Sequence, residues 1–156
     1  MKLSVAGWDD LRKFEMLWEE YLEENHKAGD IMLPTKANLK SFRQIASAYV
    51  ESPELGFVLL AEEKKIPVGV LMWGALPSLG FETTLGKTAN GWGTYVRPEW
   101  RGKGLSSELR EQARVLLKAI GINTLMGSVL PGNLPAEGSV DSLGFERGAQ
   151  VVIWRL

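Results

Sequence analysis

From Tyr95 to Leu109 the chain reads Tyr-Val-Arg-Pro-Glu-Trp-Arg-Gly-Lys-Gly-Leu-Ser-Ser-Glu-Leu. A short apolar run, a turn with two glycines and a helical pattern opening on small residues predict a buried strand, a tight turn and a helix. Such a joint aims unpaired backbone N–H groups and the positive end of a helix dipole at one spot, which suits an anion and above all a phosphate. At Gly102 and Gly104 a Cβ would hold a diphosphate away from those donors, and glycine tolerates positive φ. Arg101 and Lys103 add positive charge. An ordinary strand–loop–helix joint with two turn glycines reads the same way, so the turn alone leaves both readings open.

The rest of the chain limits the chemistry. Its 156 residues suffice for one domain, residues 1–156, with a hydrophobic core that needs neither disulfide nor metal. With 45% hydrophobic and 24% charged residues the composition is that of a water-soluble globular protein. A net charge of -1 argues against a nucleic-acid partner. The absence of cysteine removes disulfides, thiolate–zinc sites and a cysteine nucleophile. With His26 as the single histidine, a multi-histidine metal site is impossible. Neither a signal-peptide pattern near Met1 nor a membrane-length apolar run is present, so the expectation is a cytoplasmic protein with no membrane partner.

Periodicity orders the elements. A strand near Leu3 to Ala6 precedes a helix from Asp9 to His26, with Leu11, Phe14, Leu17, Trp18, Tyr21 and Leu22 on one stripe, Asp9 as N-cap and Gly29 as stop. After an irregular segment a second helix carries Leu39, Phe42, Ile45, Ala46, Tyr49 and Val50 and ends at Ser52-Pro53. Strands Phe57–Ala61 and Pro67–Leu76 follow, joined by a turn from Glu62 to Lys65. Pro77 to Gly91 reads as a long polar loop and Gly93 to Arg97 as the strand before the glycine turn. The next helix stops at Gly121; a strand from Ile122 to Leu130, a short helix from Asn133 to Leu143 and a strand from Phe145 to Leu156 complete an α/β layer with a mixed sheet.

This order resembles the GNAT superfamily of N-acetyltransferases over nearly the whole chain. The family's acetyl-CoA signature, Val-x-Pro followed by Arg/Gln-x-x-Gly-x-Gly/Ala, is matched by Val96, Pro98, Arg101 and Gly104, with Ser106 where Gly or Ala is usual. A second pattern, Asn-x-x-Ala-x-x-x-Tyr-x-x-Leu-Gly-Phe, is matched by Asn133, Ala136, Leu143, Gly144 and Phe145. The resemblance implies a sheet of six or seven strands, splayed between the fourth and fifth and flanked by about four helices. It implies acetyl-CoA as cosubstrate without a metal, and transfer of the acetyl group to a primary amine, on a small molecule or a peptide, by direct attack in a ternary complex. By the same resemblance the amides of Arg101, Gly102, Lys103, Gly104, Leu105 and Ser106 take the CoA diphosphate. Thr94, Tyr95 and Val96 pair with the pantetheine arm, an amide there polarises the acetyl carbonyl, and Asn133 holds the pantetheine side. Asn133 also suits a helix cap or turn after Pro131-Gly132.

The family's tyrosine, which protonates the departing thiolate, aligns with Val140, which has no proton to give. A thiol of pKa about 8.5 against an amine of about 10.4 still makes the thiolate a tolerable leaving group. Ser139, the neighbour of Val140 in sequence, and Tyr95 on the cofactor strand are candidates for the acid, Tyr95 also suiting packing or cofactor lining and Ser139 a small helix residue. Glu82, His26 and Asp30 are candidates for a base, and each also reads as an ordinary surface group. Trp73 and Trp92 suit either core packing or an acceptor pocket. Glu19-Glu20 and Glu23-Glu24 read as a solvated helix face that a cationic acceptor could use. A Rossmann site fails because Ser107 stands where the third glycine belongs and the next strand ends in Ser128-Val129-Leu130. A non-catalytic acyl-CoA-binding or regulatory module on the same fold is the second reading. The single strand after Phe145 leaves open a homodimer in which a partner completes the sheet.

Overall fold

The structure, a computed structural model, describes residues 1–75, 87–129, 133 and 138. Within them a five-stranded sheet runs in the order β1 (Lys2–Val5), β2 (Gly56–Glu63), β3 (Ile66–Ala75), β4 (Thr88–Val96) and β5 (Thr124–Gly127). The first four strands are antiparallel neighbours and β5 joins β4 in parallel, so the sheet is mixed. The helices are α1 (Leu11–Lys27), α2 (Lys36–Glu51) and α3 (Leu105–Ala119). The described residues therefore carry five strands and three α-helices, not the six or seven strands and about four helices expected. The Asn133–Leu143 helix was expected largely, and the Phe145–Leu156 strand wholly, from residues outside those described. No described helix is long and apolar enough to cross a membrane.

β2 up to Ala61 and all of β3 are apolar because both faces of the sheet are covered there, unlike an amphipathic strand with one wet face. Val58, Leu60, Val70, Met72 and Tyr95 pack under α1 and α2 with Phe14, Leu17, Trp18 and Phe42. Phe57, Leu59, Ala61, Leu71, Trp73 and Val96 pack against Leu105, Leu109, Ala113 and Leu117 of α3. Each core is the period-2 set of one sheet face meeting the period-3.6 stripe of a helix.

Several boundaries differ from the sequence expectation for local reasons. A 3-10 turn over Trp8–Asp10 precedes α1, and Asp10, not Asp9, lies at the helix start, its carboxylate accepting the Gly7 N–H at 3.1 Å. Gly29 ends α1 as expected, at φ +100°. β2 runs on through Glu63, and the hairpin to β3 is the two-residue turn Lys64-Lys65, whose φ values of 50° and 68° are those a tight hairpin demands. Nothing in a Lys-Lys pair advertises that conformation, so a longer turn was expected. β4 begins at Thr88, which shortens the loop expected to reach Gly91.

Candidate active site

The strand–turn–helix joint forms as the sequence requires. After β4 a 3-10 turn over Pro98–Trp100 leads into a loop in which Gly102 (φ +72°) and Gly104 (φ +83°) are left-handed, and α3 starts at Leu105. The Arg101 N–H is taken by the Pro98 carbonyl at 3.2 Å, and the Gly104 carbonyl takes the N–H groups of Ser107 and Glu108. Between them the N–H groups of Gly102, Lys103, Gly104, Leu105 and Ser106 have no acceptor among the described residues. A Cβ on Gly102 or Gly104 would meet no described residue within 4 Å, so no described side chain covers the donors there. Consecutive free N–H groups at a helix start form a concave site for an anion.

The strand leading into this loop has an unpaired edge. Arg97 donates its N–H to the Val68 carbonyl at 3.0 Å, and Tyr95 and Gly93 stand opposite Val70 and Met72. By the antiparallel alternation the backbone groups of Arg97, Tyr95 and Gly93 face β3, and those of Thr94 and Val96 face the other edge. On that edge β5 pairs only with Thr88, Ala89, Asn90 and Gly91. Among the described residues, 94–96 thus lack a strand partner on that edge. The register slips between Met72 and Trp73, leaving Trp92 as the extra residue of a bulge where the pairing stops.

The bulge is braced from the α1–α2 side. The Tyr21 hydroxyl donates to the Trp92 carbonyl at 3.3 Å, and the Trp92 indole N–H donates to the Tyr49 hydroxyl at 2.9 Å. A Cβ on Gly93 would lie 2.6 Å from Tyr21 Cζ and Oη, so that position has no room for a side chain while Tyr21 stays put. Gly93→Ala is expected to lower stability by about 1–3 kcal/mol, the usual cost of overpacking. Chemical denaturation checks this, and Tyr21→Phe in the same background should leave the loss largely in place, because the ring makes the clash.

Electrostatics at the end of β4 were misread from sequence. Glu20 and Glu24 are not a free solvated face: Glu20 takes the Arg97 guanidinium at 3.0 and 2.6 Å, and Glu24 takes Arg101 at 2.7 Å. Arg101 also donates Nε to the Val96 carbonyl at 2.8 Å and lies over the Tyr95 ring at 5.6 Å. Its charge is turned toward α1 and the strand, away from the N–H row. Lys103 stays exposed, its ammonium on the Glu99 carbonyl and 4.7 Å above the Trp100 ring. Tyr95 is buried, and burial, followed by the negative charges of Glu20 and Glu24, pushes its phenol up to about 12.

The remaining candidates are spread out. Exposed His26 shares Nδ1 with the Asp30 carbonyl at 3.1 Å, and the Asp30 carboxylate accepts the Met32 N–H, so both shape the α1–α2 connection. Trp73 is buried in the α3-side core, and Trp92 packs on the opposite one. Asn133 is half-buried. Glu82, Ser139 and Val140 lie outside the described residues. No group of three His, Cys, Asp or Glu able to hold a metal occurs among the described residues.

A glycine-turned N–H row beside a strand edge that lacks a partner among the described residues suits a ligand joining an anionic group to an extended arm. Residues 12–145 match the model of the acetyltransferase (GNAT) family, and the chain belongs to that family. Its fold is similar to that of a tetramutant of the BH1408 protein from Bacillus halodurans (23% identity, TM-score 0.77, 100% of each chain covered). It is also similar to the aminoglycoside acetyltransferase AAC(6')-Iy in complex with the bisubstrate analog CoA-S-monomethyl-acetylneamine (14% identity, TM-score 0.74, 99% of this chain and 97% of that one). A third similar structure is the aminoglycoside 6'-N-acetyltransferase AAC(6')-IG from Acinetobacter haemolyticus (21% identity, TM-score 0.66, 100% and 98%). No curated protein matches the chain in sequence.

Proposed function

We propose that this protein is an N-acetyltransferase that moves the acetyl group of acetyl-CoA to a primary amine of a small molecule. The observation that carries the reading is the continuity of two backbone surfaces, an N–H row without acceptors and a strand edge without a strand partner among the described residues. The N–H row of residues 102–106 stands directly after the strand edge at 94–96, across one 3-10 turn. A diphosphate attached to an extended amide-bearing arm has the chemistry to use both: anionic oxygens on the N–H row, amide groups on the strand edge. On this reading Thr94, Tyr95 and Val96 supply the edge, with the Val96 carbonyl already taken by Arg101. The diphosphate takes the amides from Gly102 to Ser106, and Asn133 completes the pantetheine side. The Arg101 amide, engaged by Pro98, drops out of the expected set.

In the reaction the neutral amine nitrogen forms a bond to the thioester carbonyl carbon, the C–S bond breaks, and the proton lost by nitrogen ends on the thiolate or on water. An N–H of the open edge near the bulge would stabilise the oxyanion of the tetrahedral intermediate. Tyr95 is assigned to shaping the strand and not to proton donation, since a phenol at about 12 gives up its proton poorly to a thiolate whose acid has a pKa of about 8.5. A small amine is favoured as acceptor because two of the similar folds belong to aminoglycoside acetyltransferases.

The test is incubation with acetyl-CoA and a panel of amines comprising aminoglycosides, polyamines and short peptides. Product is read by mass spectrometry and CoA release by thiol titration. Acetylation of a small amine with matching CoA release is expected. Tight acetyl-CoA binding with no amine acetylated would instead favour the non-catalytic module, and absence of acetyl-CoA binding would remove both readings.

A further inference from the structure

Arg110 is half-buried on the second turn of α3, and no carboxylate or carbonyl pairs with it among the described residues. Four other arginines are paired: Arg43 with Glu15, Arg97 with Glu20, Arg101 with Glu24 and Arg114 with Glu111. Burial lowers its pKa with no neighbouring charge to offset the effect. A desolvated cation without a counter-charge is costly in the ligand-free protein. Among the described residues nothing neutralises it, which leaves its charge to an anionic ligand.

The helix fixes where that anion would be. Leu105, Leu109, Ala113 and Leu117 face the sheet. Ser107, Glu108, Glu111, Gln112 and Val115 line a surface groove with Leu3 of β1, so that flank looks toward the β1 side. Ser106 and Arg110, four residues apart, share the opposite flank, toward β4 and β5. Side chains on a helix lean toward its N-terminus, and one turn rises only about 5.4 Å. From that position an arginine side chain is long enough to span the one turn back to the row of N–H groups that ends at Ser106. We propose that Arg110 is a phosphate-binding residue of the cofactor site, its guanidinium taking a phosphate group of the CoA nucleotide whose diphosphate lies on residues 102–106. This rests on the function proposed above, and the acetyl-CoA signature does not extend to position 110.

Calorimetry with CoA and with 3′-dephospho-CoA tests it on wild type, Arg110→Gln and Arg110→Lys. Loss of one charge-assisted phosphate contact is expected to weaken CoA binding by about tenfold or more in Arg110→Gln, with partial recovery in Arg110→Lys. If the loss disappears with 3′-dephospho-CoA, the residue holds the 3′-phosphate; if it persists, it holds the diphosphate. Either result supports the proposal. The ligand-free Arg110→Gln protein should melt no lower than wild type, because it removes a partly desolvated charge that has no partner among the described residues. CoA affinity within twofold of wild type in the folded variant overturns the proposal and leaves the reading of residues 102–106 intact. A lower ligand-free melting temperature that accounts for the affinity loss overturns it as well. Wild-type protein that binds neither nucleotide overturns both.

Discussion

Gly104→Glu is expected to eliminate measurable acetyl-CoA binding while leaving the protein folded. The position is left-handed, at φ +83°, and a side chain there costs roughly 1 kcal/mol in strain. A Cβ meets no described residue within 4 Å, so no packing among them is disturbed. A carboxylate at the start of α3 also interacts favourably with the helix dipole, by about 0.3–1 kcal/mol, which offsets most of the strain. The same carboxylate stands among the N–H groups of residues 102–106, competing for the donors and repelling a diphosphate. Affinity should fall by more than about 100-fold, the order of two lost charge-assisted hydrogen bonds. Calorimetry reads the loss, and a thermal melt near that of wild type shows that the fold survives. Gly104→Ala, which brings strain but no charge, should lose much less. Unchanged affinity in folded Gly104→Glu would place the diphosphate elsewhere.

The second large effect belongs to Tyr95 at high pH. In the unfolded chain a tyrosine loses its proton near pH 10, whereas in the fold Tyr95 holds it to about 12. Below pH 10 both states are protonated and Tyr95 adds no pH dependence. Between about 10 and 12 the folded state binds more protons, so stability declines as pH rises. The full window amounts to about 2–3 kcal/mol, at about 1.4 kcal/mol per unit. Burial also raises Tyr21 and Tyr49, which steepens the decline. In urea titrations at pH 9 and 11.5, Tyr95→Phe should lose less stability over the interval than wild type by an amount of this order. Its turnover at neutral pH should stay within about threefold of wild type. A hundredfold fall in kcat would instead make Tyr95 the proton donor, against the assignment above.

Much of this was legible in the sequence because it depends on local rules. The stripe from Leu11 to Leu22, the apolar runs of β2 and β3, and the glycine turn before Leu105 each follow from periodicity and backbone conformation within a few residues. The N–H row follows equally, since a helix start leaves donors unsatisfied whatever surrounds it. β4 was harder to see. Its Thr88-Ala-Asn-Gly-Trp-Gly opening has the composition of a loop, yet it forms a strand because β3 and β5 pair with it on either side, its glycines fitting where Tyr21 fills the space over Gly93 and Trp73 crowds Gly91.

What only the tertiary structure decided is which distant groups meet. That Glu20 and Glu24 neutralise Arg97 and Arg101, 77 residues away, depends on α1 lying across the end of β4. Helical spacing shows that two glutamates share a face and says nothing of what that face will meet. The edge at 94–96, without a strand partner among the described residues, depends likewise on where β5 stops pairing, and the lack of a partner for Arg110 among those residues on carboxylates that settle elsewhere. Backbone conformation is set by neighbours in sequence and can be read there, whereas charge pairing and strand partnership are set by neighbours in space, which the sequence brings together only through the completed fold.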